Sequence, residues 1–265
     1  MQELINRAKE LLANGTVARV LGWKKGDLSY NCEPAFFETA EDMENFVYDG
    51  FCGANLSKYM IEASKLEGKT LVCLKPCDSY SFVQLMKEHR VDREKAYIIG
   101  VACRGKLDIE RIKAQGIKGI ESVEGAAWED ANDVLTVKTF YGDKTCNWSD
   151  AMLERCHVCK GKEHVIFDEQ IGESRETKDA DRFDRVAEIE AMSPEEKFAF
   201  FRSELSKCIR CNACRNVCPA CSCRKCVFDS TKFDSAQKAN TDSFEEKMFH
   251  IIRAFHVAGR CTDCG

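Results

Sequence analysis

The sequence predicts an α/β domain, a sheet with helices packed on it, followed by a smaller, mainly helical domain bound together by cysteines. Short apolar, β-branched runs alternate with helical stretches through the first 160 residues, the pattern of a sheet covered by helices. Nine of the seventeen cysteines then fall in the last 58 residues, from Cys208 onward, while the other eight are scattered upstream. Between the two regions, Gly172 to Glu190 is dominated by charges of both signs and reads as a solvated connector or an exposed helix. The expected organisation is a first domain over 1–175, a charged connector over 176–192 and a second domain over 193–265.

In chain order, strands are expected at Thr16 to Leu21, Thr70 to Leu74, Tyr97 to Val101 and Val134 to Val137. Helices are expected at Leu56 to Lys65, Phe82 to His89, Ile109 to Gln115 and Ser149 to Arg155. Beyond the connector, Ser193-Pro194-Glu195-Glu196 carries an N-cap serine, a proline at the first helical position and a capping-box glutamate. That helix should run through Leu205 and deliver the chain into Cys208. Ser243-Phe244-Glu245-Glu246 repeats the capping box, and Phe244, Met248, Ile251, Ile252 and Phe255 form one apolar face leading towards Cys261.

Composition narrows the setting. Of 265 residues, 44% are hydrophobic, enough for a proper core. The opening MQELINRAKELLANG is charged and amphipathic, with no apolar signal-peptide core, so the cysteines are expected to be reduced and the protein cytoplasmic. Apolar runs such as Ala96 to Cys103 fall well short of the roughly 18 residues a membrane span needs. A net charge of −5 and a pI near 5.7 argue against a nucleic-acid groove.

The most informative motif is the run from Cys208 through Cys211, Cys214 and Cys218 to Pro219, spaced C-x2-C-x2-C-x3-C-P. This is the bacterial ferredoxin ligand run for a [4Fe-4S] cluster, in which three closely spaced thiolates wrap one corner of a cubane and the fourth serves the other cluster. A structural zinc site would instead pair one C-x2-C with a distant second pair. The second pair, Cys261-x2-Cys264, lacks the third cysteine and the cysteine–proline of a two-cluster ferredoxin. Either the natural protein is longer, or Cys221, Cys223 and Cys226 in CPACSCRKC fill the gap; those three also suit simple buried thiols.

Four upstream cysteines make a second set. Cys77 follows the strand at Thr70 to Leu74 and precedes a helix, whose N-terminus should stabilise its thiolate. Cys103 follows the strand at Tyr97 to Val101; if the strands are parallel, both cysteines lie at the carboxyl edge of the sheet, the usual ligand position of open α/β folds. Cys156-His157-Val158-Cys159 adds a chelating pair that by spacing alone also suits half of a zinc ribbon or a redox dithiol. Cys32, Cys52, Cys73 and Cys146 are expected to be buried or incidental thiols.

The segments GFCGANLSKYM (50–60), LKPCDSYSF (74–82), GVACRGK (100–106) and RCHVCKGKEHVIFDEQIGE (155–173), in this order, resemble the flavin-binding, iron–sulfur beta-subunit family of coenzyme F420-reducing hydrogenases and dehydrogenases. The resemblance covers roughly residues 1–175, and the tail resembles a dicluster ferredoxin appended to such subunits. It implies that Cys77, Cys103, Cys156 and Cys159 hold a [4Fe-4S] cluster, and that Gly53, Ala54 and Asn55 form a turn leading into a helix beside an FAD. Where family members often carry consecutive glycines and a threonine, this chain has Cys52-Gly53-Ala54-Asn55 and Ser57.

The expected function is that of an electron-transfer subunit of a cytoplasmic oxidoreductase complex, with two or three [4Fe-4S] clusters and an FAD. It would relay electrons between a soluble carrier and a hydrogenase, formate dehydrogenase or heterodisulfide-reductase-like partner. Two alternatives stand beside it: a flavin-free iron–sulfur wire with no substrate chemistry of its own, and a metal or redox sensor, against which the lack of a recognisable DNA-binding element weighs.

Overall fold

The structure is a computed structural model that describes residues 1–127, 129, 133–160, 163–174, 182–230, 238–240 and 242–264. The chain divides into two compact units, one of 1–180 with 263–265 and the other of 181–262. The first part of the expected connector, 176–181, lies outside the described residues, as does residue 175.

The first unit opens with helix α1 (Gln2–Ala13), which buries Leu4, Ala8 and Leu11, one apolar face at helical spacing. Strands β1 (Arg19–Lys25), β2 (Cys32–Phe37) and β3 (Phe46–Val47) follow, then helix α2 (Met60–Ala63), strand β4 (Thr70–Leu74), helix α3 (Pro76–Lys87) and strand β5 (Ala96–Val101). After helix α4 (Ile109–Ala114) come strands β6 (Ile120–Glu124), β7 (Val134–Thr139) and β8 (Lys144–Asn147), helices α5 (Trp148–Ala151) and α6 (Glu154–His157), and strand β9 (Glu169–Ile171). The main sheet is six-stranded, ordered β2-β1-β4-β5-β9, with β3 also pairing β1. Strands β1, β4, β5 and β9 run parallel, while β2 and β3 lie antiparallel to β1. Every residue of β4 is buried, as a central parallel strand covered on both faces requires.

The sequence places the expected strands at β4, β5 and β7, and the structure moves the first of them from Thr16 to Leu21 to Arg19–Lys25. β7 belongs to a separate antiparallel sheet, β6-β7-β8, over its own core of Leu107, Ile112, Leu135, Val137 and Trp148. The expected helix at Leu56 to Lys65 is a 3-10 turn at Leu56–Lys58 followed by the single turn of α2. The one at Ser149 to Arg155 breaks into α5 and α6, because Met152 leaves the helix to bridge Leu107.

The second unit is helical among its described residues: α7 (Asp184–Ala191), within the charged connector, α8 (Pro194–Ser206), α9 (Ala213–Val217) and α10 (Phe244–Ala258). Ser193 and Glu196 form the reciprocal capping box at the start of α8, as the sequence predicts. At α10 only half of the expected box exists: Ser243 accepts from the Glu246 N–H, but the Glu246 carboxylate turns inward and pairs with Arg210 at 2.6 Å. The Ser243 N–H that the box would have used donates instead to the Asn240 carbonyl at 2.8 Å, which leaves the carboxylate to the buried guanidinium. The expected apolar face of α10 is exposed. The helix buries Glu246 and Phe249, while Phe244, Ile251, Ile252 and Phe255 are exposed.

Candidate metal centres and cofactor turn

Parallel pairing of β4 with β5 brings the sequence-predicted cysteines to one edge. β4 ends at Leu74 and β5 at Val101, so Cys77 and Cys103 follow the carboxyl ends of adjacent strands. Cys77 is the second residue of α3. Its thiol is pushed well up, first by burial, then by Asp78, and further by Cys103 and Cys159, with Lys75 opposing. The same causes place Cys103 and Cys159 within electrostatic reach of Cys77. A buried thiol so surrounded ionises when a cation takes the proton's place.

Cys156 reaches the same edge from α6. The backbone N–H of Lys106 donates to its Sγ at 3.4 Å, and Leu153 N–H donates to the Lys106 carbonyl at 2.7 Å, tying the C-x2-C segment to the loop after β5. Ser174 Oγ accepts from the Cys103 N–H at 3.2 Å. From the other side His164, which sequence reasoning passed over within a quoted segment, hydrogen-bonds through Nε2 to the Leu74 carbonyl at 2.8 Å. Its ring packs against Gly100, where a Cβ would come within 3.0 Å of it.

Lys75 and Asp78 bind this edge to the glycine turn. Their side chains form an ion pair at 2.7 Å and are 2% and 1% exposed. Lys75 Nζ also donates to the Ala54 carbonyl at 2.7 Å and lies 4.8 Å from the Trp23 ring centroid. Burial opposes its charge, but Asp78, Cys77 and Cys103 raise its proton affinity above the ordinary lysine value. Asn55 Nδ2 donates to Ser81 Oγ at 2.9 Å, and Ser57 Oγ to the Asp78 carbonyl at 2.7 Å. The Gly53-Ala54-Asn55 turn is thus fastened to the start of α3 by three side chains.

These residues fit the implied groups unequally. The chemistry of four thiols from three chain segments at one sheet edge suits a cluster, whose thiolates bind separate irons and stand farther apart than the ligands of one ion. At Gly53 a Cβ would meet nothing nearer than Phe51 O at 3.9 Å, so space is open for a flavin to approach the backbone, and Gly53 lacks a left-handed backbone. The single turn of α2 is too short to supply a helix-terminus field.

In the second unit, Arg210 and Asn212, between Cys208, Cys211 and Cys214, have left-handed backbones with φ of 55° and 60°. Asp263, between Cys261 and Cys264, has φ 55°. Non-glycine residues adopt this conformation at a cost that surrounding structure must hold in place. Arg253 Nη2 lies 2.8 Å from Cys214 Sγ, and the Arg210 N–H donates to Cys208 Sγ at 3.3 Å. Cys208 also sits with Glu246 and His250, the three ligand atoms within 4.8 Å of one another. A cavity of about 570 Å³ is lined by Cys214, Cys218, Cys221, Cys223 and Cys226 together with Arg253. The sequence assigns Cys214 and Cys218 to the ferredoxin run and offers Cys221, Cys223 and Cys226 as further ligand candidates or buried thiols; all five line one cavity. Of the four other upstream cysteines, Cys52, Cys73 and Cys146 are buried and Cys32 is half-buried.

The fold and these sites define a cysteine-rich α/β protein that gathers thiols and a buried lysine at the carboxyl edge of a parallel sheet. No family model matches the chain. It is 25% identical to the F420-dependent formate dehydrogenase 1 subunit beta of Methanococcus maripaludis, over 94% of this chain and 78% of that one. It is 22% identical to the F420-dependent formate dehydrogenase subunit beta of Methanocaldococcus jannaschii, over 97% of this chain and 81% of that one. A chain of the F420-reducing [NiFe] hydrogenase complex from Methanosarcina barkeri aligns in structure with a TM-score of 0.40 and 16% identity, over 60% of this chain and 62% of that one. The resemblance to F420-linked beta subunits, seen in four short segments, extends along nearly the whole chain in the two formate dehydrogenase subunits.

Proposed function

We propose that this chain is an iron–sulfur electron-transfer subunit of an oxidoreductase complex, exchanging reducing equivalents with a soluble carrier of the F420 class. The observation that supports the reading is the sheet edge itself, where Cys77 and Cys103 follow adjacent parallel strands, Cys159 lies within electrostatic reach of Cys77 and Cys156 is tied to the loop after β5, beside a turn held by Lys75. Those four cysteines would hold one [4Fe-4S] cluster. Cys208, Cys211 and Cys214 would hold a second, and Cys218 with Cys221, Cys223, Cys226, Cys261 and Cys264 supplies candidates for a third. Gly53, Ala54 and Asn55 would line an FAD. When bound, a flavin trades a hydride for single electrons and the clusters pass those electrons on.

This chain's own residues have simpler tasks. Lys75, its charge paired with Asp78, fastens the flavin turn to the start of the cysteine helix through its bond to the Ala54 carbonyl. Trp23, Tyr48 and Phe82 are fully buried in the core and keep water out. Arg253, Arg215 and Arg260 play the charge-balancing part around the cavity of the second unit. The exposed apolar face of α10 suits a protein partner, here a formate dehydrogenase, hydrogenase or heterodisulfide-reductase-like catalytic subunit. Among the described residues no helix is long and apolar enough to cross a membrane, and a cytoplasmic complex is the setting proposed.

The single-turn α2 favours one other reading, a flavin-free wire. Anaerobically isolated protein, alone and with its partner subunits, should take up FAD and catalyse reduction of an artificial acceptor by reduced F420. Gly53→Val should lower both while leaving the paramagnetic signals of the tail clusters intact, since the added side chain enters open space instead of straining the fold. If wild-type protein binds neither FAD nor FMN in either state, the wire reading replaces the flavoenzyme. If Gly53→Val binds flavin as well as wild type, only the site assignment falls.

A further inference from the structure

The cysteines left over from the cluster sets include a convergent group. Cys32 opens β2 and is half-buried; Asp49 and the buried Cys52 close a tight turn, in which the Cys52 N–H donates to the Asp49 carbonyl at 3.2 Å. Cys32 Sγ and Cys52 Sγ each lie 3.5 Å from the same oxygen, Asp49 Oδ1. All three ligand atoms lie within 4.8 Å of one another. Zinc–sulfur bonds of about 2.3 Å and zinc–oxygen bonds of about 2.1 Å, meeting at a tetrahedral angle, put sulfur and oxygen about 3.6 Å apart. The observed separations match the edge of that tetrahedron.

The surroundings hold these atoms in place as an outer shell does. The Asp49 N–H donates to Cys52 Sγ at 3.3 Å, the Phe51 N–H donates to Asp49 Oδ1 at 2.8 Å, and the buried Lys106 Nζ donates to the Asp49 carbonyl at 2.8 Å. We infer that Cys32, Asp49 and Cys52 form a mononuclear site for a divalent cation of the zinc class, with three protein ligands and a fourth position towards solvent. Two thiolates and a carboxylate suit a borderline-soft ion better than magnesium or calcium, which take oxygen ligands. On binding, the ion replaces the two thiol protons, which leave to solvent, so no electron is moved and no oxidant is required.

The position gives the site a structural task. Asp49 forms an antiparallel bridge with Ala127, and the Gly50 N–H donates to the Ala126 carbonyl at 2.7 Å, where the main sheet's core meets that of the smaller sheet. An ion at Cys32, Asp49 and Cys52 would pin the start of β2 to that junction, immediately before Gly53. The inference stands apart from the cluster and flavin assignments, since it uses none of their residues.

Zinc and iron counted separately in the full-length, anaerobically isolated, cluster-loaded protein test it. Wild type should carry about one zinc per chain beyond its iron, and cobalt in its place should give a thiolate-to-cobalt absorption band. Cys32→Ser and Asp49→Asn should each abolish that band and that equivalent of metal, with iron content and cluster absorbance unchanged; Asp49→Asn keeps the side chain's shape should Cys32→Ser fold poorly. The site is refuted if wild type, with both thiols alkylatable, binds no more zinc or cobalt than the two variants. A Cys32–Cys52 disulfide in the anaerobic protein would refute it equally.

Discussion

The two units of this protein are held together in opposite ways. The first is built around a six-stranded sheet with a continuous core, in which Val20, Leu21, Leu71, Val72, Ile98 and Ile99 are wholly buried. In the second, Ala220, Phe228 and Phe249 are the only buried hydrophobic residues among those described, and its buried interior also contains Arg210, Ser222 and Glu246. A unit of this size with so small a core needs another source of stability, and metal ligation is the ordinary one. On the proposed assignment cysteines mean different things in the two units: in the first they would sit on a fold that already has its core, in the second they would be the fold's main fastening.

Removing the iron is the strongest way to break that comparison. Chelation under reducing, anaerobic conditions should abolish hydrogen-exchange protection throughout α8 and α10 while β4 and β5 stay protected. Equal loss in both units would mean that the contrast is wrong. The next largest effect should come from the first unit's interior. Lys75→Met leaves Asp78 buried without its cation and should cost about 3–5 kcal/mol in denaturant unfolding, with the tail clusters' spectrum unaltered. Lys75→Met with Asp78→Leu should recover most of that loss.

A smaller effect is set by pH. Burial holds His164 below the ordinary histidine value, so the folded state keeps it neutral while the unfolded chain protonates it at about 6.5. Its contribution is therefore complete above that pH and declines as pH falls through and below it. His164→Gln should flatten this part of the stability–pH curve for the first unit, as followed by intrinsic tryptophan fluorescence from Trp23 and Trp148. The smallest is local: Ser193→Ala removes the cap of α8 and should cost about 1 kcal/mol, visible only once iron is bound and the second unit is folded.

What could be read from the sequence follows from what each element depends on. β4 was legible residue for residue because a central parallel strand is apolar on both faces and announces itself without its neighbours. β2 was not, since CEPAFF contains a glutamate and a proline that an outer strand accepts, Pro34 pairing with Trp23. β9, only three residues long and partly polar, exists through its pairing with β5. The inner side of α10 was not legible because periodicity cannot show that a buried Arg210–Glu246 pair, with Phe249 beneath the guanidinium at 4.4 Å, would claim it.

The candidate sites divide in the same way. Cys77 and Cys103 were legible as strand-end positions because local spacing carries that signal. The Lys75–Asp78 pair and the meeting of Cys32 with Asp49 and Cys52 depend on contacts between separate elements or on burial, which spacing does not encode.

The central claim is that the first unit's sheet edge and the second unit's cysteine run hold separate clusters. Iron per chain, counted in full-length, anaerobically isolated Cys103→Ser and Cys211→Ser variants, tests it most directly. The account predicts that each variant loses up to about four irons, one [4Fe-4S] cluster, and that the paramagnetic signals lost in the two variants differ. Iron content unchanged in Cys103→Ser, with zinc in place of iron at the sheet edge, would contradict it.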